Sequence, residues 1–148
     1  MGLFDNSLTR ASAEDKFIPK DIRDAYASAL YCCANADKDI SDDELMSLDY
    51  LFMNISVFDD FDEADYLMLA EKNSQQFSPL QILQGSFNYI SEKLRAQLFC
   101  YCCDMVLADG AIKEEEKQTL ERIADISGIG EEIAGKIIEV AFIRECKR

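Results

Sequence analysis

The residues best suited to chemistry in this chain are five acids in two short segments. Asp37, Asp39 and Glu44 fall within Ala36-Asp37-Lys38-Asp39-Ile40-Ser41-Asp42-Asp43-Glu44. Asp109 and Glu116 fall within Ala108-Asp109-Gly110-Ala111-Ile112-Lys113-Glu114-Glu115-Glu116. Both segments follow Ala-Asp-x-x-Ile-x-x-x-Glu, and the copies stand 72 positions apart. In each, a carboxylate at a helix end and another seven residues on, in the first turn of the next helix, can converge across a tight turn. Oxygen donors gathered in this way suit a hard divalent cation, calcium or magnesium. The same acids also read as helix caps. Ser41 and Glu44 form a capping box, and Asp109 can accept backbone N–H groups from the following helix. In the second copy Lys113 holds the expected N-cap position and offers no acceptor, which leaves Glu116 without that reciprocal partner.

An EF-hand does not account for the first segment. Asp37, Asp39, Ser41 and Asp43 mimic loop positions 1, 3, 5 and 7, but Asp42 replaces the required glycine and Leu48 the bidentate glutamate. Between Asp37 and Asp65 there are eleven acids and one base, Lys38, the strongest local field in the chain. Such a run is either a solvated face or a surface for a basic partner.

Histidine is absent, which removes the commonest general base and zinc ligand and excludes Ser-His-Asp, Cys-His and HExxH chemistry. No other catalytic constellation is visible, so no enzymatic activity is expected. With 148 residues, one core is expected. The formal charge of −14 repels phosphate backbones and anionic membrane surfaces and attracts cations or basic proteins. Nucleic acid is not an expected partner. No apolar run reaches the roughly 20 residues of a membrane span, so direct insertion is not expected. The start, Met1-Gly2-Leu3-Phe4-Asp5-Asn6, lacks a basic region followed by an apolar stretch, and a cytoplasmic location follows as the expectation. Asn6 also stands where N-myristoylation wants Ser or Thr.

These acids need helices to position them. Residues 1–18 are polar and aperiodic and read as a flexible leader, and residues 19–148 read as one helical domain. Ile22, Ala25, Tyr26, Ala29, Leu30 and Cys33 form an amphipathic stripe ending near Asn35. A second helix turns Leu45, Leu48, Leu51, Phe52 and Ile55 inward. The acidic link Asp59–Glu63 opens a third, carrying Ala64, Leu67 and Met68, with its acids at the positive end of the helix dipole. Ser78-Pro79 opens a fourth, and Ser91 a fifth over 92–108 that is apolar on nearly every side and therefore expected to be the most buried. A sixth helix, 113–127, ends at Gly128, and a seventh stacks Ile133, Ala134, Ile137, Ile138, Ala141 and Phe142. No segment alternates with period two. The expected fold is all-α, a compact single-domain bundle of about seven helices, built from two pseudo-symmetric helix-turn-helix halves around a buried central helix.

The second copy, read as Met105-Val106-Leu107-Ala108-Asp109-Gly110-Ala111-Ile112 and on through Glu116, Leu120, Ile123, Ala124 and Gly128-Ile129, resembles the TerB family of tellurite-resistance proteins. So does the first copy from Ala34 to Leu51. The resemblance runs from residue 20 to about 145. It implies the TerB fold, a place in bacterial stress-response systems, and a non-enzymatic role as an acidic metal-binding or partner-binding module near membrane complexes. One departure stands out. Lys38 replaces the motif's glycine, kept as Gly110 in the second copy, so the first turn is either strained or differently shaped.

Six cysteines are present, four of them in the pairs Cys32-Cys33 and Cys102-Cys103. The strings Tyr31-Cys32-Cys33 and Tyr101-Cys102-Cys103 are 70 apart, out of register with the 72-residue repeat, and read as shared core composition. Cys100, Cys102 and Cys103 can alternatively be read as a thiol cluster for metalloids or oxidants. Their place in the most apolar helix favours core packing. The leading expectation is a non-enzymatic stress-response module whose acidic turns meet a divalent cation or a protein with a basic surface. The alternatives are thiol chemistry at Cys100, Cys102 and Cys103, and a structural adaptor without ligand.

Overall fold

In the computed structural model, residues 16–34, 42–59, 61–107 and 114–145 are described. They form seven α-helices: α1 (Ile22–Ala34), α2 (Asp42–Asn54), α3 (Glu63–Gln76), α4 (Pro79–Tyr89), α5 (Glu92–Val106), α6 (Glu114–Ser127) and α7 (Glu131–Glu145). A 3-10 turn, Ser56–Phe58, joins α2 to α3, and there is no strand among the described residues. The all-α bundle expected from periodicity is the fold observed.

Local chemistry sets most helix ends. Asp21 accepts the backbone N–H of Asp24 at 2.9 Å and so caps α1, while Pro19, expected in the first turn, precedes the cap. Asp62 accepts from Ala64 N at 3.0 Å at the start of α3. Ser78 and Gln81 form a reciprocal capping box on α4, with Pro79 at the first helical position. Arg95 donates through Nε to the Phe87 carbonyl at 2.8 Å, satisfying a last-turn carbonyl of α4 from α5. Between α6 and α7 the chain turns through Gly128 and Gly130, at φ of 72° and 91°, where a side chain would be strained.

The central helix is α1, and this corrects the expectation that 92–108 is the most buried. Eleven of the thirteen α1 residues are buried, against five of fifteen in α5. Ala25, Ala27, Ser28, Ala29, Cys32 and Cys33 are small, so α3, α4 and α5 can all pack against α1. The polar side of α1 is buried as well. The Asp24 carboxylate accepts from Ser28 Oγ at 2.8 Å, from Asn73 Nδ2 on α3 at 3.0 Å and from the backbone N–H of Lys20 at 2.8 Å. A buried carboxylate is tolerated where donors surround it in this way. By contrast α5 exposes Glu92 and Lys93 and leaves Cys100, Tyr101 and Asp104 only partly covered.

On α3, Tyr66, Ala70, Asn73 and Ser74 are buried and Leu67 packs against the core, while Ala64 and Met68 face solvent. One assignment changes on the last helix. On α7, Ile133 is exposed while Ala134 and Ala141 are buried. Phe17 lies ahead of α1 and is buried, with its ring 5.4 Å from that of Phe77 and its backbone across Gly85 of α4.

Candidate functional site

The helices that flank the two acidic segments hold them in one register. Seven residues, 35–41, separate the end of α1 from the start of α2, and seven, 107–113, separate the end of α5 from the start of α6. Asp37 is the third residue past Ala34, and Asp109 the third past Val106. Glu44 is the third residue of α2, and Glu116 the third of α6. Each motif therefore begins and ends at matching points of its helix pair. Asp37, Asp39 and Asp109 lie outside the described residues, as do Ser41 of the expected capping box and the departing pair Lys38 and Gly110. Glu44 belongs to α2, and its side chain is also outside what is described. Glu116 is half-buried and engaged with a neighbouring group. Glu114 and Glu115 join it in the first turn of α6, where the helix dipole favours negative charge. No set of three or more Cys, Asp or Glu among the described residues is arranged to hold a metal ion.

A second polar cluster, absent from the sequence reading, ties the acidic link to α1. The Tyr66 hydroxyl donates to Asp21 Oδ2 at 2.8 Å, and the Arg23 guanidinium stacks 3.4 Å from the Phe61 ring centroid. Lys20 Nζ lies 5.5 Å from the Tyr66 centroid. Burial and the bond to Asp21 push the Tyr66 hydroxyl pKa up. Lys20, Phe61, Asp62, Asp65, Tyr66 and Leu69 line a shallow depression of about 330 Å³ here. The aromatic spacing in Phe58, Phe61 and Tyr66 was the available signal, since those rings contact one another at 5.8 and 6.4 Å.

The thiols sit in the core rather than at a surface site. Cys33, Cys102 and Cys103 are buried, and none of the five described cysteines is in a disulfide. The Cys33 and Cys102 thiols are hydrogen-bonded across α1 and α5, so the two Tyr-Cys-Cys strings do meet, although their spacing misses the motif repeat. That hydrogen bond and burial hold Cys33 well above its ordinary value of 9.0. Burial, with Cys33 and Cys100 nearby, raises Cys103. Cys100 is only partly covered. Burial and Asp104 raise it, and Arg144 offsets part of that effect. A protonated thiol is a poor nucleophile and a poor metal ligand.

The family model described as Tellurite resistance protein TerB matches residues 23–137. The chain belongs to the TerB family. No curated protein matches the chain, and no solved structure does. The TerB match takes in both acidic segments and runs from α1 into α7, so the two motif copies are parts of one family domain. No helix among the described residues of this TerB domain is long and apolar enough to cross a membrane.

Proposed function

We propose that this TerB domain works without catalysis, presenting its two acidic inter-helix segments to a divalent cation, calcium or magnesium, and to a protein partner with a basic surface. The observation that carries this reading is the shared register, with an Asp three residues past one helix and a Glu three residues into the next, in both copies. Capping alone does not require the Asp and Glu to recur together at that spacing. A cation held between the two helices does, because its ligands must come from both sides of the turn. Asp39 adds a further oxygen donor in the first copy. The absence of histidine and the buried, proton-retaining thiols support a role in binding over one in turnover. Membership of the TerB family supports a setting in tellurite and related stress responses.

The test is a calcium and magnesium titration followed by residue-resolved NMR on the intact chain and on Asp109→Asn with Glu116→Gln. Saturable shifts at 36–44 and 108–116 are expected in the parent. The double variant should weaken those at 108–116 and keep its fold. Titration curves that the substitutions leave unchanged would remove the cation site.

A further inference from the structure

The α2 helix is apolar on two opposite sides. Leu48 and Phe52 turn into the core, as does Ile55 just past its end. Met46, Tyr50 and Met53 turn outward and are 71%, 71% and 63% exposed. At about 100° per residue these three fall within an arc of about 60°, in a row roughly 10 Å long. Single exposed apolar residues are ordinary, but three large ones at i, i+4 and i+7 on a polar, charged domain form a surface that lacks a cover among the described residues. Asp42 and Asp49, both exposed, border the row.

We infer that this outer face of α2 is the recognition surface for a cationic amphipathic helix of another protein. The row has the spacing by which one helix receives the apolar ridge of another. Two of its members are methionines, whose flexible, polarizable side chains adapt to varied partners, and tyrosine is enriched at interfaces. Charge selects the occupant. The helix lies inside the stretch with eleven acids and one base, on a chain of net charge −14. A second copy and an anionic membrane are both repelled, whereas lysines or arginines flanking an apolar ridge are attracted. The other exposed apolar row, Ile133, Val140 and Ile143 on α7, is bordered by Lys136 and Arg144 as well as Glu132 and Glu139 and selects no partner by charge. The inference rests on the partner-binding part of the proposed function and not on its cation part.

The test uses the full chain in EDTA, which separates it from cation binding. The probe is an 18-residue peptide of leucine and lysine with leucines on one helical face, beside a control of the same composition with the leucines scattered. The amphipathic peptide should shift α2 amides most and bind at least about tenfold tighter than the control. Replacing Met46, Tyr50 and Met53 together by Ser should remove that advantage while leaving the circular dichroism of the domain unchanged. The three single Ser variants give the same reading, in smaller steps, if the triple variant fails to fold. Equal affinity for the two peptides, unchanged affinity in the Ser variants, or shifts centred on 35–41, 59–65 or 108–116 would each overturn the assignment to α2. Binding centred on those acidic segments would still leave a basic partner in place, and no binding of either peptide would remove both.

Discussion

Asn73 on α3 donates its side-chain amide to Oδ1 of Asp24 on α1 at 3.0 Å, and the same amide reaches Ser28 Oγ at 3.1 Å. All three residues are buried, so α1 and α3 are locked by polar bonds inside the core as well as by apolar packing. Asn73→Ala withdraws one donor from the buried Asp24 carboxylate and one from the Ser28 hydroxyl. A loss of about 1–3 kcal/mol is expected. Urea unfolding should show a lower midpoint at an unchanged slope, and a midpoint equal to that of the parent would contradict the account.

At Gly85 two effects oppose each other. Alanine within a helix is ordinarily favoured over glycine by about 1 kcal/mol. A Cβ at this position, however, would overlap the carbonyl group of Phe17 and crowd its ring. Backbone cannot yield as a flexible side-chain tip can, so Gly85→Ala should destabilise by about 1–3 kcal/mol and lift Phe17 from α4. Faster tryptic cleavage at Lys16 and Lys20 would accompany the lower melting temperature. A stabilised variant would show that Phe17 is not held there.

Stability should fall in alkali. The bond to Cys102 and burial keep Cys33 protonated above its ordinary 9.0, burial does the same for Cys103, and burial pushes Tyr26 up to about 12. In the unfolded chain the thiols ionise near pH 9 and the tyrosine near 10. Above pH 9 the unfolded state therefore binds fewer protons than the native state, and the unfolding free energy declines as pH rises. These groups contribute their stability fully below that point, and the loss from Tyr26 extends to about pH 12. Urea titrations at pH 8, 9 and 10 should show the decline, with a shallower slope in Cys33→Ala. The same slope in both proteins would rule out Cys33 as a contributor.

Helix positions were legible because their ends are written in local chemistry, as at Asp62, Ser78-Pro79-Leu80-Gln81 and Gly128. Which helix lies innermost was not. Asp24 and Ser28 make α1 look like a half-exposed helix, and the residue that satisfies them, Asn73, is 49 positions away. The meeting of Cys33 with Cys102 was missed for a related reason. Helix packing brings them together, and packing need not follow the 72-residue register of the acidic motif. Period did separate Leu48, on the inward stripe, from Met46, but it reports which side of a helix is inward and not whether the other side is covered. The register of the acidic residues was readable from spacing alone, whereas convergence of their carboxylates depends on turn dihedrals that spacing does not encode.

The small side chains along α1 set how this family member can drift. Ala25, Ala27, Ala29 and Ser28 fill the gaps between α1 and its neighbours, and a larger residue at any of them must push a whole helix outward. Variation in a mutational library should therefore be capped by volume along this strip, with Gly, Ala, Ser and Cys accepted and Leu or Phe rejected. The outer row of α2 is limited by no such ceiling, so folding alone would let Met46, Tyr50 and Met53 become polar. Their retention under selection for function, beside their loss under selection for folding alone, would separate what the domain needs to exist from what it needs to act.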